Sequence, residues 1–204
     1  MKQKYSHKDV ELLGERTLFK GFFTLEEYRF KHRLFDGGWS GEVVREVFER
    51  GNAVIVLPYD PVTDQVVLIE QIRIPVFRSG QTPWLLELVA GMVESGESPL
   101  DVAVRELNEE AGINANRIEE VATYFSSPGG SSEKYDFFWA EIDASQAQGV
   151  HGLREEHEDI LVHVMGREEA FTLVKDGIIN NASTVIGLQW LELNYKTLTL
   201  SSKW

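Results

Sequence analysis

The order of apolar and polar residues sketches most of the fold. Between residues 10 and 50, Tyr28, Phe30, His32 and Leu34 alternate with charged residues, and Asp36-Gly37-Gly38 marks a turn. A period of two with a glycine turn predicts half-buried strands. Residues 53–57 and 66–69 are short unbroken apolar runs on either side of Pro61-Val-Thr-Asp64, which predicts a buried hairpin. Residues 84–90 predict a further strand ending at Gly91. Strand signals return at 118–125, 136–142 and 160–165, the last preceded by a polar loop over 144–159. The chain closes with helical patterns over 167–175 and from 183 to about 198. Strands that outnumber helices, without simple βα alternation, predict an α+β fold or a mixed-sheet sandwich.

One helix is sharply punctuated. Ser98 is a natural N-cap, Pro99 suits the first turn, Asp101 forms a capping-box pattern with Ser98, and Gly112 supplies a left-handed stop. Leu100, Ala103, Val104, Leu107 and Ala111 define its apolar stripe. Glu106 and Glu110 are separated by about 40° around the axis, and Glu109 lies about 60° to the other side of Glu106. The expectation is a ridge of three carboxylates beside that stripe, with Arg105 four residues before Glu109 to pair with it. On their own such glutamates describe a solvated acidic face more often than a site. A cation between them would turn repulsion into binding, and hard oxygen ligands point to Mg2+ or Mn2+.

Composition narrows the function. The chain has 204 residues, enough for one ordinary globular domain with room for a small appended one, and no cysteine, which excludes thiol catalysis and zinc-thiolate sites. A formal net charge of −13 argues against a nucleic-acid partner. It also means that an anionic phosphate substrate must be held by local cations, either a few arginines or divalent ions on the carboxylates. The polar N-terminus carries no apolar leader, and no stretch approaches the roughly 18 apolar residues of a membrane span. The expectation is a soluble cytoplasmic protein with no membrane partner.

The helix and the turn before it carry Gly91, Glu97, Arg105, Glu106, Leu107, Glu109, Glu110, Gly112 and Ile113. These residues fill every fixed position of G-x5-E-x7-R-E-U-x-E-E-x-G-U (U aliphatic), and the stretch resembles the signature box of the Nudix hydrolases. Pro128, fifteen residues after Ile113, resembles the marker of that family's ADP-ribose pyrophosphatase subgroup. Gly21-Phe-Phe23, Arg45-Glu46, Glu70-Gln-Ile-Arg73, Glu155-Glu-His-Glu-Asp159 and Ser183-Thr-Val-Ile-Gly-Leu-Gln-Trp190 are also similar to that subgroup. Similarity therefore covers nearly the whole chain.

The resemblance implies an α+β Nudix fold, a mixed β-sheet sandwich between helices with an N-terminal antiparallel strand region. It implies a division into an N-terminal β region over 1–50 and a catalytic domain over 51–204. It implies Mg2+, with Mn2+ as a substitute, held by Glu106, Glu110, the backbone carbonyl of Ala90 and Glu158. Glu156 would be the catalytic base, with Glu155 its rival. Glu109 would orient through Arg105, Glu97 would brace the box, and His157 would have a local hydrogen-bonding role. Phe22, Phe23, Arg45, Glu46, Arg50, Arg73, Met92, Ser127, Pro128, Gly129 and Glu133 would contact substrate, with one of the two phenylalanines in the core. The expected reaction is hydrolysis of ADP-ribose to AMP and ribose 5-phosphate. The alternatives are another nucleoside diphosphate derivative (GDP-mannose, ADP-glucose, NADH) or a non-catalytic ADP-ribose sensor. The same resemblance implies a homodimer with exchanged N-terminal strands and a substrate pocket shared between subunits.

Overall fold

A computed structural model describes residues 3–201, which form two compact units. The first runs through Gly51 and takes in Phe125–Glu133. Its frame is an antiparallel meander of β1 (Val10–Lys20), β2 (Thr24–His32) and β3 (Val43–Glu49). Lys20 faces Thr24 at one turn, and Phe30 faces Val43 near the other. The segment 125–133 is tied to β3: the Phe48 N–H donates to Gly130 O at 2.8 Å, and Ser131 Oγ donates back to Phe48 O at 3.0 Å. β1 is exposed along almost its whole length, including Val10, Leu12, Leu18 and Phe19.

The second unit holds β4 (Ala53–Asp60), β5 (Gln65–Ile72), β6 (Trp84–Glu87), β7 (Val89–Met92), α1 (Pro99–Ala111), β8 (Arg117–Phe125) up to Tyr124, β9 (Lys134–Glu141), β10 (Val150–His151), β11 (Ile160–Gly166), α2 (Arg167–Lys175) and α3 (Ala182–Ser201). Strands follow the order β10-β11-β5-β4-β9-β8, with β6 added to β5 and β7 to β4. The β4–β9 pair is parallel and the other registered pairs are antiparallel. The sheet is buried on both faces, which is why its central strands read as unbroken apolar runs. Val54, Val56, Val67 and Ile69 turn toward α1, whereas Ile55, Leu57, Val66 and Leu68 join the core that includes Leu188 and Leu191 of α3. The mixed-sheet α+β arrangement between helices is as expected. No helix among the described residues is long and apolar enough to cross a membrane.

Four local expectations are corrected. The 53–57 and 66–69 runs are buried, but their hairpin pairs only at its tip, Tyr59 with Val66 and Asp60 with Gln65. Beyond the tip the two strands separate, β4 pairing with β7 and β5 with β6. Accordingly the single strand over 84–90 is two strands broken at Leu88, whose N–H donates to the buried Thr184 Oγ1 of α3 at 3.0 Å. The loop over 144–159 contains β10 and two 3-10 turns. On α1, Ser98 Oγ accepts from Asp101 N as expected, but the Asp101 carboxylate takes the Ser98 hydroxyl (2.7 Å) instead of closing a capping box.

Candidate active site

The buried face of α1 keeps Ala103, Leu107 and Ala111 of the predicted stripe but is turned away from Leu100 and Val104. Leu100 and Val104 are half exposed, while Val102, Ala103, Glu106, Leu107, Glu110 and Ala111 are buried. Two of the three glutamates thus face the protein, at 8% exposure for Glu106 and 4% for Glu110. Carboxylates are rarely so buried unless something compensates the charge.

Each is held differently. Glu106 Oε1 lies 2.8 Å from Arg105 Nη1, which also donates to Glu109 Oε2 at 3.0 Å. The same guanidinium reaches Glu97 through Nε at 3.3 Å. Arg105 therefore gathers three carboxylates of the box, two more than the single Glu109 pairing expected of it, and their charges raise its pKa. Glu110 makes no ion pair among the described residues. Its Oε2 accepts from the Ala90 N–H at 2.9 Å and its Oε1 from Gln71 Nε2 at 3.3 Å. Burial, reinforced by neighbouring carboxylates, pushes the Glu106 carboxyl up to about 7 and that of Glu110 up to about 8. The charge of Glu158 contributes to both shifts, which places it within electrostatic reach of the pair. Among the described residues no three acidic or histidine side chains converge into a preformed cage. The donor set is all oxygen, as Mg2+ and Mn2+ prefer, and a Glu110 carboxylate held by neutral donors suits a divalent cation.

Two glycines of the box are required by close approach. A Cβ on Gly91 would stand 1.8 Å from Glu106 Oε1, so the glycine lets this carboxylate lie against β7. Gly112 has φ +65°, and a Cβ there would stand 2.2 Å from His151 Cε1. Beside it the Gly152 N–H donates to Glu109 O at 3.1 Å. The loop with the second acidic cluster is thereby pinned to the C-terminal end of α1. Within that loop Glu158 Oε2 accepts from Leu153 N at 3.0 Å, while Glu155 and Glu156 stand exposed in a 3-10 turn. His157, at φ +58°, closes that turn through its backbone N–H.

The remaining candidates divide between the units. In the second, Arg73 follows β5 and its Nε pairs with Glu87 Oε2 at 2.8 Å. Its charge also acts on Glu110. Glu87 is itself pushed up by burial. Met92 ends β7, partly exposed. In the first unit, Arg45, Glu46, Pro128 and Gly129 line one cavity of about 620 Å3 together with Tyr28 and Phe125. Ser127 lies just outside that lining, its carbonyl accepting from Gly130 N and Ser131 N. Glu133 is buried, with Arg50 Nε at 3.1 Å in a charge contact that lacks hydrogen-bond alignment. The Arg50 guanidinium also sits 5.1 Å over the Phe23 ring. Phe23 in turn meets Phe48 edge-on, while Phe22 is 88% exposed at the β1–β2 turn.

Sequence reasoning missed Gln71, Glu87 and His151. The first two carried a signal, being polar residues that follow apolar runs at the ends of their strands. His151 carried none, because its neighbour Gly112 is remote in sequence.

The NUDIX domain model matches residues 49–185, and the chain belongs to that family. It is 54% identical over 194 residues to the ADP-ribose pyrophosphatase of Escherichia coli, covering 95% of this chain and 93% of that one. It is 52% identical over 204 residues to the ADP-ribose pyrophosphatase of Haemophilus influenzae, covering 98% and 94%. A solved structure described as an ADP compounds hydrolase superposes with a TM-score of 0.69 at 24% identity, covering 93% of this chain and 97% of that one, a likeness of fold.

Proposed function

We propose that this chain hydrolyses the diphosphate of ADP-ribose to AMP and ribose 5-phosphate in a Mg2+-dependent reaction. The observation that carries the reading is the inward-facing pair Glu106 and Glu110 on an intact Nudix box helix, one of them buried and hydrogen-bonded only by neutral donors. The substrate follows from the ADP-ribose pyrophosphatases to which nearly the whole chain is similar.

In this account Glu106, Glu110, Glu158 and the Ala90 carbonyl would hold the divalent ion, with Mn2+ as a substitute. An ion held there would supply neutralisation of diphosphate charge and a lowered pKa for a bound water. Glu156 accepts the proton of that water as it enters one phosphorus, and a phosphate monoester leaves. Its exposure in the turn after Leu153 is compatible with meeting a substrate, and Glu155 in the same turn is its rival. Arg105 keeps Glu106 and Glu109 oriented and does not itself meet the substrate. Arg73 supplies a fork for phosphate oxygens once it is drawn from Glu87. Phe22 offers an exposed ring for the adenine, with Phe23 and Arg50 as its backing. For the rest of the ligand the resemblance supplies candidate contacts in each unit by itself, Arg45, Glu46, Ser127, Pro128, Gly129 and Glu133 in the first and Met92 in the second.

The active form is a homodimer with exchanged N-terminal strands. The exposed apolar residues of β1 support this, since such a strand is a ready surface for a second copy. The N-terminal β region over 1–50 serves dimerisation and the shared pocket, and 51–204 serves catalysis, in the cytoplasm. A chain that sediments as a fully active monomer would remove the dimer from the account.

The deciding assay incubates the protein with ADP-ribose and Mg2+ and separates the products. AMP and ribose 5-phosphate should form in equal amounts, faster than products from GDP-mannose, ADP-glucose or NADH. No AMP at micromolar protein would leave a binding protein instead of an enzyme.

A further inference from the structure

Glu110 is oriented from two sides before any ligand arrives, by the Ala90 N–H on Oε2 and the Gln71 amide on Oε1. Gln71 stands near the end of β5, across from Leu85 of β6, and is 8% exposed. The strand before it, Val66 to Ile69, is wholly apolar and buried. A buried primary amide is unfavourable unless it is hydrogen-bonded, so its placement here calls for a partner, and Glu110 is that partner.

The choice of side chain is informative. A leucine at 71 would leave Glu110 Oε1 without its donor, and a lysine would neutralise the carboxylate and compete with any bound cation. A glutamate would add repulsion. The neutral amide fixes the rotamer and leaves the negative charge available. Glu106 contrasts with this, since its countercharge, Arg105, is shared with Glu97 and Glu109.

We infer that Gln71 is a positioning residue for the divalent cation, holding Glu110 in its binding orientation without cancelling its charge. The inference rests on Glu110 being a cation ligand, as proposed above. Loss of such an outer partner typically weakens metal affinity by about 10–100-fold.

The test is calorimetric titration of Mn2+ into the substrate-free full-length protein, its Gln71→Leu variant and its Glu110→Gln variant. Gln71→Met, unbranched and of similar length, serves where the leucine variant does not fold, as judged by circular dichroism. Glu110→Gln should abolish the high-affinity site. Gln71→Leu should weaken it by about 10–100-fold, and the Mg2+ concentration giving half-maximal hydrolysis should rise by the same factor, with added Mg2+ recovering the rate. Unchanged Mn2+ affinity in Glu110→Gln would overturn the cation-site reading itself. Weakened binding in Glu110→Gln, together with native affinity in a folded Gln71→Leu or Gln71→Met, would overturn the role of Gln71 alone. A drop in turnover that added Mg2+ does not recover, with Mn2+ affinity unchanged, would also overturn it.

Discussion

Replacing Gly91 by alanine adds one methyl group at the point where β7 meets the Glu106 carboxylate. The new Cβ would lie 1.8 Å from Oε1, 2.1 Å from Cδ and 2.4 Å from Cγ, whereas real Cβ contacts essentially never fall under 3.0 Å. The carboxyl oxygen must therefore retreat by at least about 1.2 Å, from 1.8 to 3.0 Å. Three atoms of the side chain are affected, so a rotation of the terminal oxygens does not relieve the clash. Glu106 is also tied to Arg105 at 2.8 Å, so its displacement disturbs the ion pairs to Glu97 and Glu109. Overpacking of this kind costs roughly 1–3 kcal/mol of stability, which a domain of this size tolerates. Its effect on chemistry should be larger: a displacement of about 1 Å in a catalytic constellation costs on the order of 100-fold in rate. The assay is steady-state hydrolysis of ADP-ribose over a Mg2+ series, alongside thermal unfolding. Gly91→Ala should remain folded and lose about two decades of kcat. In a Glu106→Gln background, already depleted of the charge, the same methyl should cost little more, because both changes act through one group. Native turnover by a folded Gly91→Ala protein would refute the claim that Glu106 must lie against that strand.

Other outcomes follow from the same geometry. Without a divalent ion, Glu106 and Glu110 keep their protons in the folded chain up to about 7 and about 8, against an ordinary value of 4.5. The folded state then binds more protons than the unfolded one, so the metal-free protein should lose stability as pH rises from about 4.5 to about 8, by a few kcal/mol. Mg2+ should accordingly raise Tm more at pH 8 than at pH 5 in calorimetric scans, and equal increments would contradict this. Gly112→Ala combines strain at φ +65° with a methyl 2.2 Å from the His151 ring, and should lose both stability and turnover. Gly177→Ala, at φ +73° with open space around it, should lose about 1 kcal/mol or more of stability to backbone strain, with turnover intact. Glu156→Gln should lose most of kcat while Mn2+ affinity measured by titration stays native; near-normal turnover would reassign the base.

The sequence made some parts of this structure legible and hid others for identifiable reasons. Ser98, Pro99 and Gly112 placed both ends of α1 correctly, because caps act through local backbone geometry. The runs at 53–57 and 66–69 showed two-sided burial, but not that their hairpin opens beyond Tyr59 and Val66. The break at Leu88 is held by a hydrogen bond to Thr184, which is 96 residues away. The carboxylates were found by spacing but placed beside the apolar stripe. Ala103, Leu107 and Ala111 are buried as that stripe implied, but Leu100 and Val104 are half exposed and Glu106 and Glu110 take the inner positions beside them. A burial that costs stability is not expected from hydrophobic pattern alone.

The central claim is that Glu106 and Glu110 face inward because a divalent cation sits on them during hydrolysis. Crystals grown with Mn2+ and a non-hydrolysable analogue of ADP-ribose test it directly through anomalous difference density. A peak bounded by Glu106, Glu110, Glu158 and the Ala90 carbonyl, against the diphosphate, is the predicted result. Analogue bound with its diphosphate remote from these residues, and no anomalous peak at Glu106 and Glu110, would contradict the account.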